Sequence, residues 1–348
     1  MKWTDSEIKI LKKLRASGKT IPQCAKELRR SHNGTEHACK RYAIRFNEKR
    51  VKLPDTDIPV EVEKSKLLPR PKFGHLSLDV IFDPHGWVDI GLVADTHLCC
   101  VQECLAELHA HYDLMASQGI KTVFHAGNIV DGHIPKINGD SLYCTSVDAQ
   151  AQYVIDNYPR REGMTTYYIT GDDHEGWWQK EGFNFGAYLQ MLAHGQDRKD
   201  LQYIGHVEAD VELWAPGAKK PTIIKVQHPG GGSAYARSYK GQKQVEAFEG
   251  GEKPSILIQG HYHVSNYMND RNIHVVNMPG FQGQTIFARK KNLRMEIGGA
   301  IASYQVNKSD GSVTQFRPWF NRFFNRGYYK AFLSSDCKIL KGHLVLKA

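Results

Sequence analysis

Residues 88–97 read VDIGLVADTH, in which the run from Ile90 to Ala94 leads directly into Asp95 and His97. A continuous run of this kind is typical of a strand that is buried on both faces in an α/β protein. The carboxyl ends of such strands line the crevice in which open α/β sheets bind ligands. Because strand side chains alternate with a period of two, Asp95 and His97 are predicted to point to the same side. A carboxylate and an imidazole on one side can share a divalent metal ion.

Four later stretches repeat the pattern of a buried strand that ends in metal-ligand residue types. The strands are predicted at residues 122–126, 166–170, 222–226 and 255–259. A helical pattern at 102–117 precedes the first of them, and another at 146–158 lies between the first and the second. This alternation predicts βαβ units and a parallel-rich sheet. The residues that follow these four strands are Asn128 and Asp131, then Asp172, Asp173, His174 and Glu175, then His228, and finally His261 and His263.

In chain order the motifs are D-x-H, G-N-x-x-D, G-D-D-H-E, H-P and G-H-x-H. This succession resembles that of the calcineurin-like metallophosphoesterases, including the SbcD-type repair nucleases, over residues 88–305. The resemblance implies an α/β fold, a four-layer αββα sandwich whose second sheet comes from the shorter strands after residue 201. It also implies a site for two divalent metal ions, held about 3.5–4 Å apart, that acts on phosphoesters.

The resemblance assigns a role to each motif residue. The first ion would be bound by Asp95, His97, Asn128 and His263, and the second by Asn128, Asp173, His228 and His261. His174 would be the catalytic histidine that protonates the leaving alkoxide, with Glu175 orienting its ring and Asp131 and Asp172 in support. Mixed carboxylate and imidazole ligands favour Mn²⁺, while iron, zinc, nickel and magnesium remain open.

Two positions depart from the family pattern. Asp173 stands where the family has Asn, and a carboxylate is a competent ligand. Asn128 stands where the family has the Asp that bridges both ions, and a neutral amide bridges two cations poorly. Either the site is naturally weak or binds a single metal, or the sequence carries an inactivating Asp→Asn change, which we favour because the other ligand positions are all occupied by ligand residues.

The segment after His228 contains three consecutive glycines, Gly230 to Gly232, followed by Arg237. Successive backbone N–H groups can cradle a phosphate, so Gly231 and Arg237 are predicted to bind substrate phosphate. A plain flexible loop is the alternative.

Residues 1–50 predict three short helices, two of them opened by capping boxes at Thr4 with Glu7 and at Thr20 with Gln23. The third is predicted to run from about residue 33 to Phe46. The arrangement resembles Myb/SANT-type helix-turn-helix modules and implies DNA binding, with a protein-interaction or packing appendage as the alternative. The predicted DNA contacts are Asn33, Glu36, His37, Lys40 and Arg41 in the major groove, and Arg29, Arg30 and Arg45 on phosphates.

Charge is distributed unevenly over the 348 residues, whose formal net charge is +9. Residues 1–50 hold 14 Lys and Arg against 5 Asp and Glu, residues 51–305 hold 24 against 30, and residues 306–348 hold 8 against 2. Basic ends around an acidic body suggest a polyanionic substrate. We predict a helix-turn-helix module at 1–50, a proline-rich linker at 51–72, a catalytic body at 73–305 and an aromatic, basic tail at 306–348. The tail is predicted to dock onto the body, and the alternative is that its aromatic and arginine side chains stack on bases and contact phosphates.

The remaining features indicate a protein of the reduced cytoplasm. No stretch reaches the roughly 18 apolar residues of a membrane span, the amino terminus does not resemble a signal peptide, and the seven cysteines have no zinc-finger spacing. The predicted function is metal-dependent hydrolysis of DNA by a nuclease or nickase, with DNA as partner and no membrane. The alternatives are a phosphatase or cyclic-nucleotide phosphodiesterase, and a non-catalytic DNA-binding protein that retains the pocket.

Overall fold

The computed structural model describes residues 3–17, 19–42, 44, 74–80, 86–232, 234–249, 251, 253–323, 337–340 and 343–346. The chain divides into two units, Met1–Leu67 and Leu68–Ala348. The predicted linker at 51–72, the predicted phosphate contact Arg45 and most of the tail after Phe323 lie outside the described residues. Among the helices that are described, none is long and apolar enough to cross a membrane.

The amino-terminal unit contains the three predicted helices, α1 (Asp5–Ala16), α2 (Ile21–Glu27) and α3 (His32–Arg41). Both predicted capping boxes are present. Helix α3 ends at Arg41, well before the predicted end at Phe46, because the chain closes it with a Schellman-type bond from the Ile44 N–H to the Cys39 carbonyl, 2.9 Å long. The small core of the unit is formed by Leu11, Cys24, Ala38 and Cys39.

The larger unit alternates strands and helices. Its strands are β1 (His75–Asp79), β2 (Trp87–Val93), β3 (Thr122–Ala126), β4 (Thr165–Thr170), β5 (Leu201–His206), β6 (Glu208–Trp214), β7 (Thr222–Gln227), β8 (Ile256–Gln259), β9 (Asn266–Asp270), β10 (Ile273–Asn277), β11 (Ile297–Val306), β12 (Val313–Phe323), β13 (Cys337–Leu340) and β14 (His343–Leu346). Its helices are α4 (Leu105–Ser117), α5 (Pro135–Asn138), α6 (Val147–Asn157), α7 (Gly176–Lys180), α8 (Phe185–Gly195), α9 (Tyr239–Ala247) and α10 (Ile286–Lys290).

Twelve of these strands form two six-stranded sheets that pack face to face, and β13 pairs antiparallel with β14. The first sheet has the order β1-β6-β7-β8-β10-β9 and the second β12-β11-β2-β3-β4-β5. The core between them joins Ile90 and Phe124 of the second sheet to Val211, Ile224 and Ile258 of the first. These apolar side chains alternate with outward residues, as expected for sheets that share one buried face.

Helices cover the outer face of each sheet. Leu108 of α4, Val154 of α6 and Leu189 of α8 pack with Val123 and Tyr168 of the second sheet. The outer face of the first sheet is covered by α9, whose Val245 packs with β8 and β10. The architecture is therefore the predicted four-layer αββα sandwich.

Parallel pairing brings the motif residues together. Strands β2, β3 and β4 are parallel neighbours in the second sheet, and β7 and β8 are parallel neighbours in the first. Each is followed directly by one of the motifs. Because parallel neighbours end at the same edge of a sheet, five short segments converge at one end of the sandwich.

The ends of the body differ from the prediction. The edge strand predicted to reach Trp87 ends at Asp79, and Trp87 instead begins β2. At the other end, β12 pairs antiparallel with β11, so the second sheet continues past the boundary predicted at residue 305. Phe316 and Phe320 of β12 pack against the core between the sheets, because a hairpin partner of an internal strand gains ladder bonds and buries its rings.

Candidate metal centre

Asp95, His97 and His263 form the first group of possible metal ligands. Nε2 of His97 lies 3.2 Å from Nε2 of His263. Oδ1 of Asp95 lies 3.7 Å from Nε2 of His97 and 3.4 Å from Nε2 of His263. All three side chains are buried, so the three ligand atoms enclose a small polar space within the protein.

Asp173, His228 and His261 form the second group. Oδ1 of Asp173 lies 3.4 Å from Nε2 of His228, and Oδ2 lies 3.4 Å from Nδ1 of His261. Nε2 of His228 is also 4.0 Å from Oδ1 of Asp95. One carboxylate oxygen of Asp95 therefore faces both groups.

The donor atoms of these groups fit divalent metal ions. Oδ1 of Asp95, Oδ1 of Asn128, Oδ1 of Asp173 and Nε2 of His228 are buried and have no hydrogen-bond partner among the described residues. Buried polar atoms are normally satisfied, and a cluster of unsatisfied acceptors that share one space is best satisfied by a cation. The mixture of oxygen and imidazole nitrogen suits a transition metal better than calcium.

The amide of Asn128 points toward the second group. A Cβ atom placed on Gly171 would lie 2.4 Å from Oδ1 of Asn128 and 3.1 Å from Oδ1 of Asp173, so both oxygens approach the same point and only glycine fits there. The Asn128 oxygen thus lies beside the second group, and its contact with the first ion stays a prediction. Since this oxygen carries no charge, Asp95 supplies the carboxylate oxygen that the two groups have in common.

The ligands are carried by strained backbone rather than by extended strand. Six site residues have positive φ angles, namely Asp95 (52°), His97 (43°), Asn128 (56°), His174 (50°), His261 (78°) and His263 (51°). The reason given for aligning Asp95 with His97, alternation along a strand, was therefore wrong, because β2 ends at Val93, before both residues. Left-handed backbone costs about 1–3 kcal/mol per residue and clusters at functional sites.

His174 is held by Asp131. Nδ1 of His174 lies 3.1 Å from Oδ1 of Asp131 and 3.0 Å from its backbone carbonyl oxygen. Burial disfavours the imidazolium, but the Asp131 carboxylate outweighs it and raises the pKa of His174 to about 10. The same Oδ1 accepts a 2.8 Å hydrogen bond from Nδ1 of His97, so one carboxylate orients a ligand and the predicted catalytic histidine.

Glu175 does not orient His174, contrary to the prediction. Its Oε1 accepts the backbone N–H of Asn128 at 2.8 Å and that of Gly171 at 3.0 Å. The side chain is buried, and burial raises the pKa of Glu175 to about 7. Glu175 therefore ties together the loops after β3 and β4, which carry ligands from two motifs.

Three supporting residues were missed by the sequence analysis. Nδ2 of Asn138 donates to Oδ2 of Asp131 at 2.9 Å, and Nε2 of Gln282 donates to Oδ1 at 3.2 Å. The Trp177 ring stacks on His174 with centroids 5.0 Å apart. Asn138 and Gln282 lie outside every motif, so no local signal in the sequence identifies them.

The other residues predicted near the site have separate environments. Asp172 faces Lys180 at 3.7 Å and belongs to neither ligand group. The Gly231 carbonyl accepts a 2.7 Å hydrogen bond from Nε2 of His261, which leaves Nδ1 of that ring facing Asp173. Arg237 lies 3.5 Å from Glu296.

In the amino-terminal unit, most predicted DNA contacts are exposed: Arg29, Asn33, His37, Lys40 and Arg41. Lys40 forms an ion pair with the predicted groove residue Glu36 at 2.7 Å. Arg30 is only partly exposed, since it pairs with Glu7 at 2.8 Å and lies over the Trp3 ring. A structural role for Arg30 thus competes with the predicted phosphate contact.

No protein-family model matches the sequence, and no curated protein is significantly similar to it. Solved structures with a similar arrangement include a novel archaeal phosphodiesterase, at 13% identity and a TM-score of 0.36, over 67% of this chain and 99% of that one. They also include Yfce, a phosphoesterase from E. coli, at 14% identity and a TM-score of 0.35, over 66% and 98% of the two chains. Vps29 from Entamoeba histolytica, complexed with Zn²⁺, matches at 14% identity and a TM-score of 0.31, over 67% and 98%. A likeness at this level assigns no activity to the present chain.

Proposed function

We propose that the protein is a metal-dependent phosphodiesterase that hydrolyses DNA at a centre for two divalent ions, with Mn²⁺ as the expected metal. The observation that supports this most directly is the convergence of two ligand groups on Oδ1 of Asp95, next to a histidine held by Asp131. Two adjacent cation sites beside a proton donor are an arrangement that can catalyse phosphoester hydrolysis.

Each residue has a defined task in this proposal. Bound ions would polarise the phosphoryl oxygens and supply an activated water as nucleophile. His174 donates a proton to the leaving oxygen, and the negative charge of Asp131 keeps the imidazole protonated and fixes its orientation. Glu175 keeps the loops that carry Asn128 and Gly171 in register, so that the ligands are positioned before substrate binds.

DNA is the proposed substrate because of the amino-terminal unit. Its three capped helices, with exposed Arg29, Lys40 and Arg41, can place cations along a duplex backbone. Such contacts release counterions from DNA and supply sequence-independent affinity. A small phosphomonoester or a cyclic nucleotide would make no use of this unit.

A second candidate function is DNA binding without catalysis, and Asn128 is the observation that favours it. A neutral amide next to two cations leaves their repulsion less compensated than a carboxylate would.

We propose to assay the protein and Asn128→Asp on DNA, a phosphomonoester, a cyclic nucleotide and bis(p-nitrophenyl) phosphate, with Mn²⁺ and with EDTA. Hydrolysis of DNA and of the model diester alone supports the diesterase. Preference for the monoester or cyclic nucleotide supports those alternatives, and inactivity of both proteins supports the non-catalytic one.

A further inference from the structure

Glu296 gathers three arginines on one buried carboxylate. Nη2 of Arg294 lies 2.8 Å and Nη1 of Arg237 3.5 Å from Oε1, and Nε of Arg322 lies 4.0 Å from Oε2. The arginine side chains are 58%, 45% and 44% exposed, whereas that of Glu296 is 7% exposed. Three half-exposed positive charges surround one buried negative charge, so an accessible local excess of positive charge remains. We call Arg237, Arg294 and Arg322 the arginine cluster.

The arginine cluster is linked through Glu296 to the segment that carries the candidate ligand His263. The backbone N–H of Glu296 donates to the carbonyl of His263 at 2.9 Å. Oε2 of Glu296 accepts the backbone N–H of Ser265 at 2.8 Å and also the Ser265 hydroxyl. Since Ser265 follows His263 by two residues, their Cα atoms are no more than about 7.6 Å apart. Glu296 therefore holds the arginine cluster on the segment that carries the candidate ligand His263.

We infer that the arginine cluster binds the non-scissile phosphate that neighbours the hydrolysed one in a nucleic-acid backbone. This inference rests on the proposed phosphodiesterase function. Guanidinium groups present several N–H donors in a fixed plane and pair well with phosphate oxygens. A monoester or a cyclic nucleotide carries one phosphate, which the metal centre would take. Only a substrate with consecutive phosphates can occupy both places, so the cluster selects for polynucleotides.

An aromatic side chain next to the cluster favours a nucleic acid over other polyphosphates. Tyr235 is fully exposed and lies two residues before Arg237 on the loop that leads to α9. Aromatic rings beside a cationic groove stack on bases without reading their sequence. The combination suits a strand whose phosphates lie on the arginines and whose bases are turned toward Tyr235.

The test compares substrates that differ by one nucleotide, and so by one phosphate, and that are too short to engage a separate DNA-binding unit. They are the p-nitrophenyl ester of thymidine 5′-phosphate and that of the dinucleotide pTpT, hydrolysed by the full chain in the Asn128→Asp background with Mn²⁺. We expect the second phosphate to raise kcat/KM about ten-fold, as for one good charge-assisted contact. Arg294→Ala/Arg322→Ala should reduce this ratio to near one and leave the single-phosphate ester unchanged.

Matched variants separate charge from folding. Arg160→Ala/Arg161→Ala removes two ion-paired arginines elsewhere on the body and should keep the ratio. Arg294→Lys/Arg322→Lys preserves the charge but loses the planar guanidinium donors, and should keep part of the ratio. Arg237→Ala removes the 3.5 Å contact while the closer Arg294 pair remains, and should lower the ratio in part. A ratio that stays high in Arg294→Ala/Arg322→Ala overturns the inference.

Binding measurements test the arginine cluster independently of catalysis. Calorimetry on the protein as it stands, with Mn²⁺, should give pTpT about ten-fold higher affinity than thymidine 5′-phosphate, and the two-alanine variant should lose that preference. If neither ester is hydrolysed by any variant, the proposed function fails. The affinity ratio then still supports the arginine cluster if it depends on the arginines, or overturns it if it does not.

Discussion

Oδ1 of Asp131 lies 3.1 Å from Nδ1 of His174, and this contact sets the proton state of the histidine that faces the candidate metal centre. The same oxygen holds His97, a ligand of the first group, at 2.8 Å. Asp131 itself accepts hydrogen bonds from Asn138 and Gln282. One acid thereby aligns the predicted catalytic histidine and a candidate metal ligand.

Replacing Asp131 by Asn should lower turnover more than substrate binding. The amide can still accept a hydrogen bond but cannot stabilise the imidazolium of His174, and loss of general-acid assistance costs about 10²–10⁴-fold. We expect kcat for the model diester to fall at least about 100-fold in the Asn128→Asp background, with a small change in KM. Asp172→Asn, which removes the adjacent acid that faces Lys180, is the control. Equal kcat for Asp131→Asn and its parent would remove His174 from the mechanism.

Asn128→Asp should increase diester hydrolysis by about two orders of magnitude. A carboxylate at this position would offset the repulsion between two cations within about 4 Å of each other, which the amide oxygen cannot do. The measurement is Mn²⁺-dependent cleavage of supercoiled, linear and single-stranded DNA, with DNA affinity measured in parallel and expected to change little. If the variant binds two metals and cleaves no faster, the Asp→Asn interpretation of this position is wrong.

Single histidine substitutions should empty one metal site at a time. His263→Ala removes a ligand of the first group and His228→Ala one of the second, and both residues lie in loops beyond the strand ends. We expect elemental analysis after Mn²⁺ loading to show about one equivalent lost in each variant, with unchanged circular dichroism. His109→Ala, on the outer helix α4, should keep full occupancy. Full occupancy in both ligand variants would refute the assignment.

Glu175 should matter for stability through its two backbone contacts. Glu175→Ala leaves the buried N–H groups of Asn128 and Gly171 without their acceptor, and each unsatisfied group costs about 1–3 kcal/mol. We expect urea denaturation to show a free energy of unfolding lower by about 2–5 kcal/mol for Glu175→Ala. Glu175→Gln keeps an acceptor oxygen and should lose much less, and the exposed Glu181→Ala should lose almost nothing. A Glu175→Ala protein as stable as its parent would contradict this role.

Deleting residues 1–50 should weaken duplex DNA binding and flatten its dependence on salt. Each phosphate contact that is lost removes about 0.9 from the slope of log affinity against log salt concentration. Hydrolysis of bis(p-nitrophenyl) phosphate by the Asn128→Asp form should survive, because the ligand groups all belong to the other unit. Identical affinities at several salt concentrations would leave the amino-terminal unit without a role in DNA binding.

Local sequence patterns predicted the layered fold and the residue types that meet in the two candidate ligand groups. A short apolar run such as Ile90 to Ala94 favours a buried strand, and parallel pairing places whatever follows it at one edge of the sheet. Asp95, His228 and His261 could therefore be identified as candidate ligands, because each lies within two residues of the end of such a strand. The capping boxes at Thr4 and Thr20 could also be predicted, because each depends on residues only three positions apart.

How these side chains are oriented depends on contacts that form only in the folded chain. Whether Asp131 or Glu175 orients His174 depends on backbone angles and on partners such as Gln282, which is 151 residues away in sequence from Asp131. The left-handed backbone at Asp95 and His97 is likewise imposed by packing, since local preference opposes it. Glu296 and its arginines form no sequence motif. Arg237 lies in the loop before α9, Arg322 near the end of β12, and Arg294 and Glu296 just before β11, so they meet only in the folded chain. Contacts of this kind are long-range, and a linear pattern does not encode them.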